Sequence, residues 1–261
     1  MFARKYLVLL TLLISASLFA QQKTLTVATL GDYAPLLFSL NNQPIRATLP
    51  PGEDASNFYG YSWDVFRESY HSMGYTIVLK VEPWARALKE LEAGKVDLLF
   101  PAGKNKKRLL AFNYAKRSTN EAHFVVYVNA NNPILWEGLN SLKGLNIGVI
   151  RGYNYGNKWE DIRGINKVNV KQILTGFEML AKGRLDGFVG YEFNWDHLLN
   201  KQGWTHNFRK LPHFDYSNEY VVALKSNKRG QQLLDDFDAG KQKLIETGRL
   251  QAIKSKWSFK K

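Results

Sequence analysis

Apolar residues along this chain recur in two rhythms, one of period two and one of period three to four, and the two alternate. Leu25-Thr26-Val27-Ala28-Thr29 alternates and predicts a strand. Gly31-Asp32-Tyr33-Ala34-Pro35 then breaks it into a loop, and residues 41–57, rich in Asn, Pro, Gly and charge, read as an excursion outside the core. Trp63, Phe66, Tyr70 and Met73 fall at helical spacing with Gly74 as the stop, and Thr76 to Val81 predicts a second strand. Trp84, Ala87, Leu88 and Leu91 stand at i, i+3, i+4 and i+7, the apolar face of a helix with Pro83 near its start. A third strand begins after Gly94.

The second half repeats this grammar. Ala122 to Val128 predicts a strand, and Asn146 to Ile150 another that ends in Arg151-Gly152-Tyr153. Ile173, Phe177, Leu180 and Ala181 mark a helix before Gly183. Glu219 to Leu224 reads as a further strand, Leu234, Phe237, Leu244 and Ile245 as a late helix, and Leu250, Ile253 and Trp257 as a final one. One phrase occurs twice: Leu91-Glu92-Ala93-Gly94-Lys95-Val96-Asp97 before Leu98-Leu99-Phe100, and Leu180-Ala181-Lys182-Gly183-Arg184-Leu185-Asp186 before Gly187-Phe188-Val189. Each is a helix end, a Gly where the chain leaves the helix left-handed, a basic residue, an aliphatic residue, an Asp and a buried strand. The repeat predicts two α/β lobes of similar construction, and the alternation of elements predicts parallel sheets built from βαβ units. No low-complexity linker divides the chain, so the lobes are expected to share their connections. Asp97 and Asp186 stand at strand entries, which favours a structural role for both.

Composition narrows the function. Arg4 and Lys5 precede an apolar run from Leu7 to Ile14, and Leu18-Phe19-Ala20 ends in a small residue before Gln21-Gln22, the pattern of a secretory signal peptide, residues 1–20. The run is short for a membrane span, which needs roughly 20 apolar residues, and the mature chain is expected to be secreted and soluble. With no Cys, the chain has no disulfide, thiolate metal site, Cys nucleophile or lipid-anchor Cys. The formal charge of +13 falls to +11 without Arg4 and Lys5. Lys and Arg are spread along the chain with one cluster from Lys104 to Arg108, and nothing reads as a basic helix or an RNA-binding aromatic motif. The charge therefore reads as solubility first and an anionic partner second. The five His residues show no metal-binding spacing and no nucleophile elbow accompanies them.

Four further segments occur in a fixed order: Tyr33-Ala34-Pro35 after the opening strand, Gly60-Tyr61-Ser62-Trp63-Asp64-Val65, Leu88 to Leu98 with its Gly94-Lys95-Val96-Asp97, and Gly248-Arg249-Leu250 through Lys256-Trp257. In this order and spacing the chain resembles extracellular solute-binding protein family 3, the polar amino-acid type of periplasmic substrate-binding protein associated with ABC transporters. The resemblance spans nearly the whole mature chain. It implies an α/β, two-lobed periplasmic-binding-protein fold (type II), each lobe a mainly parallel sheet flanked by helices. Lobe 1 would comprise residues 23–118 plus 221–261 and lobe 2 residues 122–216, with crossing segments near Arg117–Ala122 and Tyr216–Tyr220 as a two-segment hinge.

The resemblance also implies a ligand site. Asn105-Lys106-Lys107-Arg108 occupies the turn where the family places its ligand-binding Arg, with Tyr114-Ala115 following at the expected distance, and a guanidinium offers paired donors that match a carboxylate. Gly103 and Asn105 belong to the same turn. Gly152 and Tyr153 correspond to the family's turn after a second-lobe strand, where backbone N–H groups hold an anionic group. Tyr33 and Tyr61 match aromatic pocket positions. Where amino-acid binders carry an Asp for the ligand ammonium, this chain has Tyr191, with Glu192 beside it as the alternative carboxylate. Trp84 stands with Tyr33, Tyr61, Tyr153 and Tyr191 near turns facing the inferred cleft but also fits the core face of its helix, the reading its spacing favours. The implied function is capture of a small polar, carboxylate-bearing solute, an amino acid or a relative, for delivery to a membrane permease complex. No cofactor, no metal and no nucleic acid partner is expected, and a monomer is. Alternatives are a ligand-sensing protein for a membrane receptor and a cyclohexadienyl dehydratase-like enzyme with Glu192 as general acid.

Overall fold

The opening alternation does fold as a strand, and its inward residues Leu25, Val27 and Ala28 are fully buried. The computed structural model describes residues 23–40 and 44–257; the expected leader at residues 1–20 lies outside them. The first half runs β1 (Lys23–Thr29), β2 (Asp32–Tyr33), β3 (Leu37–Ser39), β4 (Ile45–Leu49), β5 (Phe58–Tyr59), α1 (Tyr61–His71), β6 (Tyr75–Val81), α2 (Trp84–Glu92), β7 (Leu98–Gly103) and α3 (Lys106–Ala111). The long β8 (Phe112–Asn129) leads to β9 (Asn146–Ile150), α4 (Gly156–Asp161), β10 (Asn166–Val170), α5 (Ile173–Ala181), β11 (Gly187–Tyr191) and α6 (Glu192–Gln202). Then come β12 (Phe208–Lys210), β13 (Asp215–Leu224), α7 (Gly230–Glu246) and α8 (Arg249–Lys256).

The large sheet has the order β10-β9-β11-β8-β13-β7-β1-β6-β4, with β12 on β8, while β2, β3 and β5 form a small separate sheet. Two parallel cores of like build, β7-β1-β6 and β11-β9-β10, stand on either side of the antiparallel pair β8 and β13. That pair runs through both crossing segments, from Asp215 opposite Phe124 to Leu224 opposite Phe112, with register shifts around Tyr220. The connection between halves is thus a hydrogen-bonded ladder, which aligns the strand ends of both cores on a common cleft.

Each half has its own aromatic core. In the first, Phe66 stacks on Phe100 at 4.1 Å between ring centroids, and α7 approaches α1 so closely that a Cβ at Gly240 would lie 2.1 Å from the Ser69 carbonyl oxygen. In the second, Phe188 packs on Trp195 at 4.1 Å, and a Cβ at Gly190 would lie 2.1 Å from the Trp195 ring. Each such ring contributes on the order of 2–3 kcal/mol by burial.

The repeated phrase is a clamp. Gly94 and Gly183 have φ of 67° and 66°, the left-handed exit expected of them. Asp97 then accepts hydrogen bonds from Thr26 N (2.9 Å) and Thr26 Oγ1 (3.0 Å) midway along the neighbouring β1, and Asp186 accepts one from Asn146 N (2.8 Å) on β9. Both carboxylates tie an incoming strand to its parallel neighbour, the structural role their position suggested.

Two elements depart from the pattern reading. Residues 41–57 do not lie wholly outside the core, because Ile45–Leu49 pairs antiparallel with β6 at the sheet edge and buries Leu49. β8 extends far beyond Ala122–Val128, since Lys116 to Glu121 interrupt the apolar rhythm while Ser118, Asn120 and Glu121 still pair with β13.

Candidate functional site

The C-terminal end of β7 positions the principal side chain. Asn105 caps α3 by accepting the Arg108 N–H at 2.8 Å, and this tight turn carries Arg108 back over the strand end. Arg108 is only 7% exposed; its Nη1 donates to the Gly103 carbonyl at 3.0 Å and its Nη2 to the Gly152 carbonyl at 2.9 Å. Trp84, at the start of α2, donates its Nε1 to the same Gly152 oxygen at 2.9 Å and lies 5.5 Å beneath the guanidinium. Gly152 adopts φ 83° in the turn after β9, and this turns one carbonyl of the second half towards two donors of the first. Asn154 strengthens the junction, donating to the Lys104 carbonyl and accepting from Asn105.

Opposite Arg108, three tyrosines form a wall. The Tyr191 ring centroid lies 5.6 Å from Tyr33 and 5.3 Å from Tyr153. Tyr191 Oη donates to the Asn154 carbonyl at 2.7 Å, Tyr33 Oη donates to Glu219 Oε2 at 2.9 Å, and the buried Tyr153 hydroxyl has no partner. Glu219 is 3% exposed, and Asn120 Nδ2 also donates to its Oε2, at 2.6 Å. Burial pushes the Glu219 carboxyl up to about 7, while the Asn120 and Tyr33 hydrogen bonds and the Arg108 charge pull the other way. Burial likewise raises the three tyrosine hydroxyls, which stay protonated. Arg108, Trp84, Glu219 and these tyrosines, closed off by Leu30 and Pro101, line one narrow cavity with a free volume of about 10 Å³, room for about one water molecule. A basic group, an acidic group and four aromatic rings thus converge at one point between the two halves.

A larger groove of about 610 Å³ runs between the Gly31–Leu40 and Val81–Pro83 region of the first half and Lys171–Leu174 with His197–Gln202 of the second. It contains Asp32, whose carboxyl burial raises, and Glu82, whose Oε2 accepts from Arg46 at 3.1 Å while Oε1 is buried without a partner. Among the described residues no cluster of His, Asp or Glu is arranged to hold a metal ion, and no helix is long and apolar enough to cross a membrane.

The sequence model of the bacterial extracellular solute-binding proteins, family 3, matches residues 25–261. The chain belongs to that family. Three solved structures show the fold as that of periplasmic binding proteins. A histidine kinase sensor domain similar to such proteins is 20% identical, with a TM-score of 0.75 over 92% of this chain and 98% of that one. The substrate-binding protein of an amino acid ABC transporter is 18% identical, with a TM-score of 0.70 over 91% of this chain and 100% of that one. An amino acid ABC transporter substrate-binding protein from Streptococcus pneumoniae, bound to L-arginine, is 18% identical, with a TM-score of 0.70 over 93% and 98%. A comparison with curated proteins gives no match.

Within this family 3 chain, Tyr33, Arg108, Tyr153 and Tyr191 come together in the cavity. Gly103, Asn105 and Gly152 surround Arg108 and hold it, two by their carbonyls and one by its cap. The remaining two residues go elsewhere. Tyr61 opens α1, where its N–H donates to the Pro35 carbonyl, and does not line the cavity. Glu192 is engaged by Lys210 Nζ at 2.6 Å and by His213, and does not line it either. Sequence reasoning missed Glu219 and favoured the core over the cleft for Trp84; Trp84 is 6% exposed and serves both the core and the cavity. For Glu219 a signal existed: period-two spacing puts it in phase with the buried Val221 and Ala223, an acid at an inward position.

Proposed function

We infer that this family 3 protein captures a small polar solute bearing a carboxylate, an amino acid or a close relative, and hands it to a membrane permease. The observation that carries this is Arg108: a nearly buried guanidinium whose two protein partners are neutral carbonyls, beside a cavity with donors to spare. A carboxylate there would supply the missing opposite charge through paired hydrogen bonds. Residues 23–118 with 221–261 form one lobe and residues 122–216 the other, and they swing about the crossing segments near Arg117–Ala122 and Tyr216–Tyr220. Arg108 and Trp84 from one side and Tyr153 and Tyr191 from the other meet the solute together only when the cleft is shut, so the solute favours the closed state. The protein acts in the periplasm as a monomer after loss of residues 1–20.

The test is a thermal-shift screen of amino acids, organic acids and oligopeptides, since a ligand selective for the native state raises stability. Stabilisation by at least one is expected. Turnover of prephenate or arogenate without saturable, unreactive binding would sink the reading in favour of an enzyme. A sensing role is the second reading, favoured by the likeness to a histidine kinase sensor domain. Vesicle uptake experiments with the cognate permease separate the two roles.

A further inference from the structure

The large groove has no part in the capture reading, and neither Arg108 nor Glu219 lines it. Its free volume of about 610 Å³ lies in the range of about 300–1,000 Å³ that holds small-molecule ligands. α6 shapes one side of it. Asn194, His197, Leu198 and Lys201 stand at i, i+3, i+4 and i+7 on that helix and so share one face. Asn194 Nδ2 donates to the Ala34 carbonyl at 2.6 Å and joins the two halves at one end, while His197, Leu198 and Lys201 line the gap beyond.

The two walls carry opposite charge. On the first half, Glu82 stands just past β6 and is 3% exposed. Its Oε2 bonds to Arg46, whose side chain is half exposed, and its Oε1 is buried without a partner. Ser39 of β3, 5% exposed, also lines the groove with its hydroxyl unpartnered. Burial raises the Asp32 carboxyl on β2, and its own backbone N–H is the one group that pulls the other way. Buried oxygens that nothing in the protein bonds favour a ligand that brings donors. On the second half, Ile173 and Leu174 line the groove as the first residues of the nine-residue α5, whose cap Gln172 makes no side-chain hydrogen bond to that turn. The positive end of a helix and the adjacent Lys171 therefore meet the groove together. Lys201 adds a second charge, and burial with the nearby Lys201 lowers His197, which is neutral at pH 7. Among the described residues, no ion pair within 4.0 Å joins Lys171 or Lys201 to Asp32 or Glu82.

A ligand that satisfies both walls carries an amine and a carboxylate at opposite ends of a body that suits Phe38, Val81 and Leu198. In a free α-amino acid the two charges share one carbon, whereas each residue of an extended peptide separates them by about 3.3 Å more. We propose that the groove is a second ligand site, for a peptide of two or three residues, with its ammonium at Glu82 and Asp32 and its carboxylate at Lys171, Lys201 and the start of α5. The peptide binds beside the solute of the cavity and without Arg108, so the proposal does not rest on the capture reading.

The experiment is calorimetric titration of the full chain with dialanine, trialanine and trileucine, each beside its N-acetylated and its C-amidated form. Saturable binding of at least one free peptide is expected, and either block is expected to weaken it about tenfold or more. Glu82→Gln should cost a similar factor and Lys201→Ala about fivefold, while Arg108→Ala stays within about threefold of wild type. Lys201 is exposed, so if Glu82→Gln fails to fold, Lys201→Ala and the blocked peptides decide. No saturable binding by any of the three peptides, or blocked forms within about threefold of their parents, would overturn the proposal and leave the capture reading standing. Loss of peptide binding in Arg108→Ala would overturn it too, and would place the peptide in the cavity.

Discussion

At residues 91–100 and 180–189 the chain builds the same joint twice and then does different things with it. Both copies leave a helix at a left-handed glycine and clamp the next strand through an Asp. Beyond the first strand, Asn105 caps a short helix that returns Arg108 over the strand end. Beyond the second, Tyr191 passes directly into α6, which carries Glu192 to Lys210 and His213. The first half therefore contributes the guanidinium with the Tyr33 and Trp84 rings, and the second contributes the Tyr153 and Tyr191 rings and the Gly152 carbonyl. The scaffold is shared, while the chemistry lives in the segments just past each strand, at the carboxyl ends where α/β sheets hold their ligands.

The largest expected break in this comparison is Arg108→Ala against Tyr191→Phe. Removing the guanidinium is expected to weaken solute binding by about 100-fold or more, whereas Tyr191→Phe, which removes only the hydrogen bond to the Asn154 carbonyl, is expected to cost about fivefold. Isothermal titration of both variants, with circular dichroism to verify folding, checks this; equal effects would mean that the two halves share the binding evenly.

Glu219 sharpens the comparison through pH. Its folded-state carboxyl lies near 7 against an ordinary 4.5, so the native state holds this proton more tightly than the unfolded chain. Its contribution to stability is therefore greatest below 4.5, falls as pH rises towards 7 and is constant above that. The loss is on the order of 3 kcal/mol in the ligand-free protein, and Glu219→Gln should remove that part of the slope. Chemical denaturation between pH 4 and 8 reads it out, and identical slopes in the two proteins would place the acid in contact with water.

The two clamps should also differ. Asp97 accepts from both Thr26 N and Thr26 Oγ1 and receives a further bond from Asn227, so Asp97→Ala is expected to cost about 2 kcal/mol. Asp186 has the single bond to the exposed Asn146 N, and Asp186→Ala is expected to cost about 0.5–1 kcal/mol. Urea unfolding of both variants tests the ranking. An effect of similar size is assigned to Trp84→Phe, which keeps an aromatic ring under Arg108 but loses the bond to Gly152; affinity should fall about threefold to tenfold.

Most strands and helices were legible because their apolar spacing is carried by local sequence. Asn146–Ile150 and Ile173–Ala181 came out with the bounds expected. β4 was not legible, since Ile45, Ala47 and Leu49 alternate over too short a run between Pro and Gly. The length of β8 was hidden because Lys116 and Arg117 are exposed while their backbone N–H groups bond to Asp238, a partner far along the chain. In the cavity, Arg108 and Tyr33 were visible through a motif in sequence. Glu219 was not, because its role comes from burial between β8 and β13 and from Tyr33, residues that sequence distance separates. Trp84 was read as core because spacing reports that a side chain is covered and not what covers it.

The central claim is that solute is held between Arg108 of one half and Tyr153 and Tyr191 of the other. A crystal structure of the protein with the solute found by thermal shift tests it most directly. The account predicts carboxylate oxygens within hydrogen-bond distance of the Arg108 Nη atoms and the solute body between Trp84 and Tyr191. Solute bound in the groove beside Asp32 and Glu82, with Arg108 still held only by the Gly103 and Gly152 carbonyls, would contradict it.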